Sequence, residues 1–487
     1  MDENHKKRGN IIKTLTDIIF ITLCSGIFML YLYFGNLKEI LFGEIAPILL
    51  CFSAIGWLLY IVLRLVLKKS RKAAVLSGVA MVFLANAGRL TEALGYTAVL
   101  PLGLLAIAAV FFVIIRFVSE DTAGKMEFIV TAVLAALILF NVAVSIPQFA
   151  ENNRLSEQAA EKAALQEEIK IPEKYAEGDA ELPNLYIFVF DELAGTKCMR
   201  EVFGYDNKVF YDNMRSLGFA VSDDCTNYKQ FTMECLSGLF NLDYVFDYDT
   251  DGFFACRERF KNARFFSIMN RMGYGMYETE AGGFTDFEPR FKNGASKEYN
   301  IDEDGRTTFE IILDWSLFGP VADSLGIFPQ NYDLFDEILT YYTLPESYTY
   351  KNALTFTYIC CPHAPFIYDI NGNPVDKANS MNWSDSKYFL EQYEYMCGRI
   401  VDAMEGVIQN DKESVILVLS DHGVKPNKSL WNGPSATYEQ SVDTFFAVYT
   451  GGGDIGDITG LCGADVLRKV LNTRYGFNLD MTAALAG

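Results

Sequence analysis

The chain has 487 residues, a formal net charge of −21 and a hydrophobic share of 51%. This length exceeds one ordinary domain, and the acidic excess, which lies mainly after about residue 150, argues against a nucleic-acid partner. Anionic lipid is not excluded as a substrate, because a bound metal ion would supply local positive charge.

Apolar residues are concentrated in the first third of the chain. They form about five stretches, which cover roughly residues 11–34, 45–67, 73–87, 98–118 and 128–146. A helix needs about 20 apolar residues to cross a bilayer core, so all but the third stretch are long enough. For the third stretch, a short span, a re-entrant piece and a helix buried among the others remain alternatives.

Basic residues flank these stretches unevenly. They precede the first stretch at positions 6–13 and follow the second at positions 68–72, which favours a cytoplasmic location for both flanks. With five spans the rest of the chain lies outside the cytoplasm, whereas with four it lies inside. We predict a multi-pass membrane protein with a transmembrane domain of about five helices at 1–149, a linker helix at 150–182 and an extracytoplasmic catalytic domain at 183–487.

The globular part contains runs of β-forming residues separated by helical patterns. The strand-like runs cover about 185–190, 353–360, 415–420 and 444–449, and an amphipathic helical pattern lies at about 387–409. Strands that alternate with helices predict an α/β domain with a mostly parallel central sheet covered on both faces.

Polar side chains follow three of these strands. Asp191 and Glu192 follow the first, His363 follows the second, and Asp421 and His422 follow the third. The carboxyl ends of parallel strands meet at one edge of a sheet, where α/β proteins place their active sites. Two carboxylates and an imidazole suit one divalent cation, such as Mn²⁺, Mg²⁺ or Zn²⁺.

Thr232 is the candidate nucleophile. It precedes an apolar helical pattern at 233–240, so it lies at a helix N-terminus, where backbone N–H groups and the helix dipole favour an anion. A threonine that also binds the metal could ionise and attack phosphorus. The alternatives are that Thr232 is a plain N-cap residue, that Thr226 is the reactive hydroxyl, and that His363 only binds a loop carbonyl.

The order of these motifs resembles the alkaline-phosphatase-like superfamily. The strand that ends in Asp191, the helix that begins at Thr232, the His363-Ala-Pro-Phe sequence and the Ser-Asp421-His422-Gly sequence occur in the order found there. Within that superfamily the chain is similar to sulfatase-like membrane enzymes, namely lipoteichoic acid synthases (phosphoglycerol transferases) and phosphoethanolamine transferases.

The resemblance implies a role for each residue. Asp191, Thr232, Asp421 and His422 would bind one divalent metal ion, with Mn²⁺ the first choice and Mg²⁺ or Zn²⁺ as alternatives. Thr232 would be the catalytic nucleophile, and His363 would bind the substrate phosphate. Further substrate residues are expected at about 280–310, without a clear motif match.

One departure from the sulfatases bears on the reaction. Sulfatases use a Cys/Ser-x-Pro-x-Arg motif, whereas Cys235-Leu-Ser-Gly-Leu lacks both the Pro and the Arg. This favours phosphate over sulfate chemistry.

The predicted function is therefore a membrane-anchored, metal-dependent phosphotransferase. It would move a phosphoglycerol or phosphoethanolamine headgroup from a membrane lipid donor, through a phosphothreonine, onto a cell-surface glycan or polymer. The first alternative is a phosphodiesterase or sulfuric ester hydrolase on the same scaffold. The second is a non-catalytic membrane sensor or assembly protein.

Overall fold

The structure is a computed structural model. It describes residues 2–38, 40–87, 96–164, 168–176, 181–247, 251–279, 285–291, 312, 316, 334–376, 379–425, 433 and 435–481. The chain divides into two compact units. The first comprises Met1–Asn153 with Arg306–Gln330, and the second comprises Arg154–Gly305 with Asn331–Gly487.

The N-terminal region is helical. Its helices are α1 (Asp2–Gly35), α2 (Phe42–Leu67), α3 (Ser70–Leu84), α4 (Tyr96–Phe117) and α5 (Glu120–Ala164). Among the described residues, three helical segments are long and apolar enough to cross a membrane, and they are Ile11–Gly35, Phe42–Leu67 and Glu120–Lys162. The apolar segment of α4, Leu102–Phe117, is shorter. The number of spans and the domain boundaries therefore stay predictions.

The short third apolar stretch forms helix α3. Its residues Ala73, Ala74 and Leu76 are fully buried, and the first two belong to one apolar cluster with Phe20 of α1 and Tyr60 of α2. Of the three alternatives, the structure therefore favours a helix packed among the others.

The second unit alternates strands with helices. Its strands are β1 (Leu185–Phe190), β2 (Ala220–Val221), β3 (Cys225–Thr226), β4 (Gly275–Thr279), β5 (Glu288–Phe291), β6 (Ala353–Ile359), β7 (Val415–Ser420), β8 (Asp443–Thr444) and β9 (Phe446–Thr450). Its helices are α6 (Glu173–Ala176), α7 (Thr196–Phe203), α8 (Lys208–Ser216), α9 (Thr232–Phe240), α10 (Phe253–Lys261), α11 (Arg264–Arg271), α12 (Leu334–Tyr341), α13 (Lys387–Asn410), α14 (Tyr438–Ser441) and α15 (Gly463–Tyr475), with a 3₁₀ turn at Pro345–Tyr348.

Seven strands of the described residues form the central sheet, in the order β2-β9-β7-β1-β6-β4-β5. The β7–β1, β1–β6, β6–β4 and β4–β5 pairs are parallel, whereas β9 runs antiparallel to β7 and β2. The predicted fold class, an α-helical N-terminal region followed by an α/β domain with a mostly parallel sheet, is confirmed. The predicted fourth strand is divided, because β8 pairs with β3 in a separate two-stranded sheet while β9 joins the central one.

The central strand β1 shows why these runs are apolar throughout. Leu185, Ile187 and Val189 pack into the apolar cluster on one face of the sheet, and the alternate residues, Tyr186, Phe188 and Phe190, pack into the cluster on the other face. Successive side chains of a strand point to opposite faces, so a strand covered on both faces needs apolar residues at every position. The chain becomes polar only where the strand ends.

Candidate metal centre

Strand register brings the predicted metal ligands together. Phe190, the last residue of β1, lies opposite Ile359 of β6 and Ser420 of β7. The next residues, Asp191 and Asp421, therefore leave neighbouring parallel strands at the same level. Two residues that are 230 positions apart in the sequence thus become neighbours at one edge of the sheet.

Asp191, Asp421 and His422 form a buried cluster. The Nε2 atom of His422 lies 3.7 Å from Oδ1 of Asp191 and 3.5 Å from Oδ2 of Asp421. Those two carboxylate oxygens are buried and have no hydrogen-bond partner among the described residues. Two ligands bound at about 2.1 Å to a tetrahedral ion would lie about 3.4 Å apart. The two distances from Nε2 of His422 are close to this value, and the ligand atoms of the three residues all lie within 4.8 Å of one another. The cluster therefore fits one divalent cation.

The other polar atoms of these three side chains lie within hydrogen-bond distance of neighbouring groups. Tyr358 donates a hydrogen bond of 2.7 Å to Oδ2 of Asp191, and the backbone N–H of His422 donates one of 2.7 Å to Oδ1 of Asp421. Nδ1 of His422 lies 2.9 Å from the carbonyl of Gly423. If Nδ1 carries the proton and donates to this carbonyl, the lone pair of Nε2 is left for a metal ion.

Gly423 lets two loops approach each other behind the cluster. A Cβ atom at this position would lie 2.5 Å from the carbonyl oxygen of Gln440 and 2.8 Å from that of Asp443. The backbone N–H of Gly423 donates to the carbonyl of Ser441. A side chain here would clash with this backbone, which explains the glycine after Asp-His.

The electrostatics of the cluster also favour a cation. Burial, followed by the negative charge of Asp421, raises the pKa of Asp191 above its ordinary value, although His363 and His422 oppose this effect. Two carboxylates with unpaired oxygens repel each other in an apolar environment. A divalent cation between them removes this repulsion.

Thr232 lies beside this cluster. It is the first residue of α9, and its Oγ1 atom is 3.4 Å from Nε2 of His422. Phe231 occupies the N-cap position and makes no side-chain cap bond, so the structure does not support the alternative in which Thr232 is the N-cap. Thr226 lies in β3, where its hydroxyl accepts a hydrogen bond from the backbone of Tyr228. The role of Thr232 as nucleophile stays a prediction.

His363 is also a neighbour of Asp191. Its backbone N–H donates to the carbonyl of Asp191, and its Nδ1 contacts the carbonyl of Ala364. The contact with Ala364 is the one expected if His363 only binds a loop carbonyl. Binding of the substrate phosphate by Nε2 of His363 stays a prediction. Asp191, Cys360 and His363 form a second group of potential ligands. Burial raises the pKa of the Cys360 thiol well above its ordinary value, so the carboxylate-rich group is the better cation site.

Several residues at the site carry no recognisable sequence signal. Asn227 is fully buried, and its amide donates to the carbonyls of Ser420 and Asp421 at 2.8 and 2.6 Å, so it holds the end of β7. Nζ of Lys425 contacts the carbonyl of Gln230 and lies 4.1 Å from the centroid of the Phe231 ring.

Glu192 is also buried at this edge, although it lies outside the cluster. Its backbone has φ +59°, one carboxylate oxygen accepts from the backbone of Lys425, and the other has no partner among the described residues. The segments 280–284 and 292–310, where further substrate residues were expected, lie outside the described residues.

No family model and no curated protein matches this chain. Its structure is similar to that of lipooligosaccharide phosphoethanolamine transferase A from Neisseria meningitidis, with 14% identity, a TM-score of 0.39 and coverage of 94% of this chain and 95% of the other. A lipoteichoic acid synthase from Listeria monocytogenes shows 12% identity and a TM-score of 0.36, over 64% of this chain and 76% of the other.

Phosphonate monoester hydrolase of Agrobacterium radiobacter shows 12% identity and a TM-score of 0.35, over 61% of this chain and 74% of the other. All three are members of the alkaline-phosphatase-like superfamily, which is the one that the sequence motifs resemble. At these identities and TM-scores the similarity does not establish the activity of this chain.

Proposed function

We propose that this chain is a membrane-anchored, metal-dependent phosphotransferase that moves a phospholipid headgroup onto a cell-envelope glycan or polymer. The observation that carries the proposal is the meeting of three groups at one sheet edge. These are a hydroxyl at a helix N-terminus, two buried carboxylate oxygens with no hydrogen-bond partner among the described residues, and an imidazole nitrogen. Together they suit a cation and a nucleophile that act on a phosphate group.

Asp191, Asp421, His422 and Thr232 would hold the metal ion. When bound, the ion supplies positive charge that favours the alkoxide of Thr232 and stabilises the phosphoryl oxygens. Mn²⁺ is our first choice, with Mg²⁺ and Zn²⁺ as alternatives. Two neighbouring groups would hold the ligand side chains in place. The Tyr358 hydroxyl donates to the buried carboxylate of Asp191, and the Gly423 carbonyl lies beside Nδ1 of His422.

The reaction has two displacement steps at phosphorus. First, Oγ1 of Thr232 attacks the headgroup phosphodiester, a P–O bond to Thr232 forms, and the P–O bond to diacylglycerol breaks. The departing alkoxide takes up the proton that the Thr232 hydroxyl has lost. Next, a hydroxyl of the acceptor attacks phosphorus, the bond to Oγ1 breaks, and Thr232 is reprotonated. The half-buried His363 would bind the phosphate during both steps.

The apolar helices suit a lipid donor. In the part of the chain that the structure describes, three segments are long and apolar enough to cross a membrane. The basic residues at 6–13 and 68–72 favour a cytoplasmic N-terminus. We therefore infer that the globular part lies outside the cytoplasm, where envelope glycans and the headgroups of the outer leaflet are available as substrates.

Thr232→Ala, with Thr232→Ser as the matched control, tests the proposal. The full chain, loaded with Mn²⁺, is incubated with phospholipid labelled at the headgroup phosphate and quenched in acid. We expect a covalent headgroup phosphate on the wild-type protein, and a fall in transfer of more than about 1000-fold in Thr232→Ala. The Ser variant should retain the adduct, because it retains a hydroxyl.

The labelled products separate this function from the alternatives. A labelled glycan indicates transfer, whereas release of the labelled headgroup alone indicates hydrolysis. Full activity of Thr232→Ala would exclude Thr232 as the nucleophile. A protein that binds no divalent cation and forms neither product would be non-catalytic.

A further inference from the structure

A second polar site lies at the opposite end of helix α9 from Thr232. A cavity of about 520 Å³ is lined by Asn241, the C-cap residue of α9, by α10 and α11, and by residues 156–160 of α5. Its volume is in the range of small-ligand sites. Because α9 has nine residues, its two ends are about 13 Å apart, so this cavity is separate from the metal centre.

Arg259 provides a buried positive charge in the cavity wall. The residue is 7% exposed, and its Nη2 donates a hydrogen bond of 2.7 Å to Asp243. Its guanidinium carbon lies 4.1 Å from the centroid of the Phe246 ring. Nε and Nη1 are buried without a hydrogen-bond partner among the described residues. A buried guanidinium with unsatisfied donors is costly unless an anion compensates it.

Two more arginines reach the cavity and are partly exposed. Nη1 of Arg264 lies 3.8 Å from Asp243, so a single carboxylate faces two guanidinium groups. Arg271 pairs with Glu168, an ion pair whose carboxylate is 77% exposed and therefore screened by water. Among the described residues, Glu258, also exposed, is the other acidic residue of the lining. Three guanidinium groups thus gather at the cavity, where Glu168, Glu258 and Asp243 supply the opposing charge.

The rest of the lining is largely apolar and includes Ala159, Phe254 and Ile268. The wall formed by α5 belongs to the helix that contains the apolar segment Glu120–Lys162. Apolar walls around an arginine cluster suit an amphiphile with an anionic head, and guanidinium groups match phosphate oxygens in geometry and charge.

We propose that this cavity binds the phosphate group of a phospholipid, at a site that is distinct from the metal centre and takes no part in the covalent step. Arg264 and Arg271 would contact the phosphate, and Arg259 would provide buried charge behind them. The site would hold a lipid independently of turnover, so this proposal does not require the proposed transferase activity.

Protection of an engineered cysteine tests the site in the full-length protein. Ser267 lines the cavity and is exposed, whereas Asn270 is exposed on the same helix outside the lining. Ser267→Cys and Asn270→Cys are treated with maleimide, and labelling of each cysteine is read by peptide mass spectrometry. The probes are dioctanoylphosphatidylglycerol, dioctanoylglycerol and glycerol 3-phosphate.

We expect dioctanoylphosphatidylglycerol to slow labelling of Ser267→Cys by more than about tenfold, without an effect on Asn270→Cys. Adding Arg264→Gln should weaken this protection by about tenfold or more, whereas Lys261→Gln, a charge change on α10 outside the lining, should not. Protection by glycerol 3-phosphate as well would identify a site for free phosphate esters and overturn the need for a lipid.

Two results would overturn the anion site altogether. These are equal protection by dioctanoylglycerol, which lacks phosphate, and no protection by any probe. The same experiment in an Asp421→Asn background separates this proposal from the proposed function, because protection should persist after the metal centre is disabled.

Discussion

The two ends of helix α9 lie near buried groups of opposite charge. Near its N-terminus, Asp191 and Asp421 each have a buried carboxylate oxygen with no hydrogen-bond partner among the described residues, and near its C-terminal end Arg259 has two such buried donors. The first end suits a cation and the second suits an anion. Most buried polar groups in proteins are paired, so these exceptions support the two ligand sites that we propose.

The two ends also differ in how tightly they are built. Asp191 and Asp421 each accept a hydrogen bond, Nδ1 of His422 faces the carbonyl of Gly423, and all three side chains are nearly inaccessible to water. Arg264 and Arg271 are partly exposed and lie beside a cavity. A small ion needs fixed ligand atoms at short distances, whereas a lipid headgroup needs a cavity of its own size. The N-terminal end of α9 suits the ion, and the C-terminal end suits the headgroup.

Removing one carboxylate from the metal centre gives the largest expected effect. Asp421→Asn should weaken binding of Mn²⁺ or Zn²⁺ by more than about 100-fold, because it replaces a charged ligand atom by a neutral one. Titration of the purified full-length chain, followed by elemental analysis, measures the change. Asp402→Asn, an exposed position on α13, is the control. Unchanged affinity in Asp421→Asn would contradict the metal centre.

Removing the Tyr358 hydroxyl, which donates to Asp191, should lower the metal affinity by a smaller factor. Tyr358→Phe removes the 2.7 Å hydrogen bond to Oδ2 of Asp191 and keeps the ring in the core. Loss of such an outer partner typically weakens metal affinity by about tenfold. The same titration reports it, and a variant that binds metal as tightly as the wild type would show that Tyr358 does not position the carboxylate.

The buried carboxylate of Asp443 contrasts with the two at the metal centre, because among the described residues neither of its oxygens is a buried atom that lacks a hydrogen-bond partner. It accepts a 2.7 Å hydrogen bond from the backbone of Cys198 at the start of α7, yet burial raises its pKa to about 6, above the value of about 3.9 in an unfolded chain. Between these values the folded state binds more protons than the unfolded state. This contribution therefore makes the protein more stable as the pH falls from about 7 to about 4.

Asp443→Asn should remove that part of the pH dependence, which we expect to amount to about 1–3 kcal/mol. Thermal unfolding of metal-free protein at several pH values compares the variant with the wild type. The amide oxygen can still accept from Cys198, so the variant should fold. An identical pH slope in both proteins would show that Asp443 does not titrate in this range.

The smallest expected effect tests whether the two ends of α9 are independent. Arg259→Gln should leave the metal affinity within about twofold of the wild-type value, because sites that share no partners and lie more than about 10 Å apart behave nearly additively. Circular dichroism confirms that the variant is folded before the titration. A change of more than tenfold would show that α9 couples the metal centre to the cavity.

Local sequence patterns accounted for most of the sheet. The uniformly apolar runs of β1, β6 and β7 predicted strands covered on both faces, and the polar residues that follow them predicted one functional edge. These sequence patterns depend only on residues that are a few positions apart in the chain. The division of residues 443–450 between two sheets was not predictable, because β8 pairs with β3, which lies more than 200 residues earlier.

The sequence by itself determined which residue types stand at the strand ends, and it placed Thr232 at the start of a helix. Only the tertiary structure decided that Oδ1 of Asp191, Oδ2 of Asp421 and Nε2 of His422 face one another, and that Asn227 and Tyr358 hold them. It also decided that Arg259 and Asp243 meet behind a cavity. The physical reason is that composition and spacing fix local conformation, whereas burial and the partners of polar atoms depend on segments that are distant in the chain.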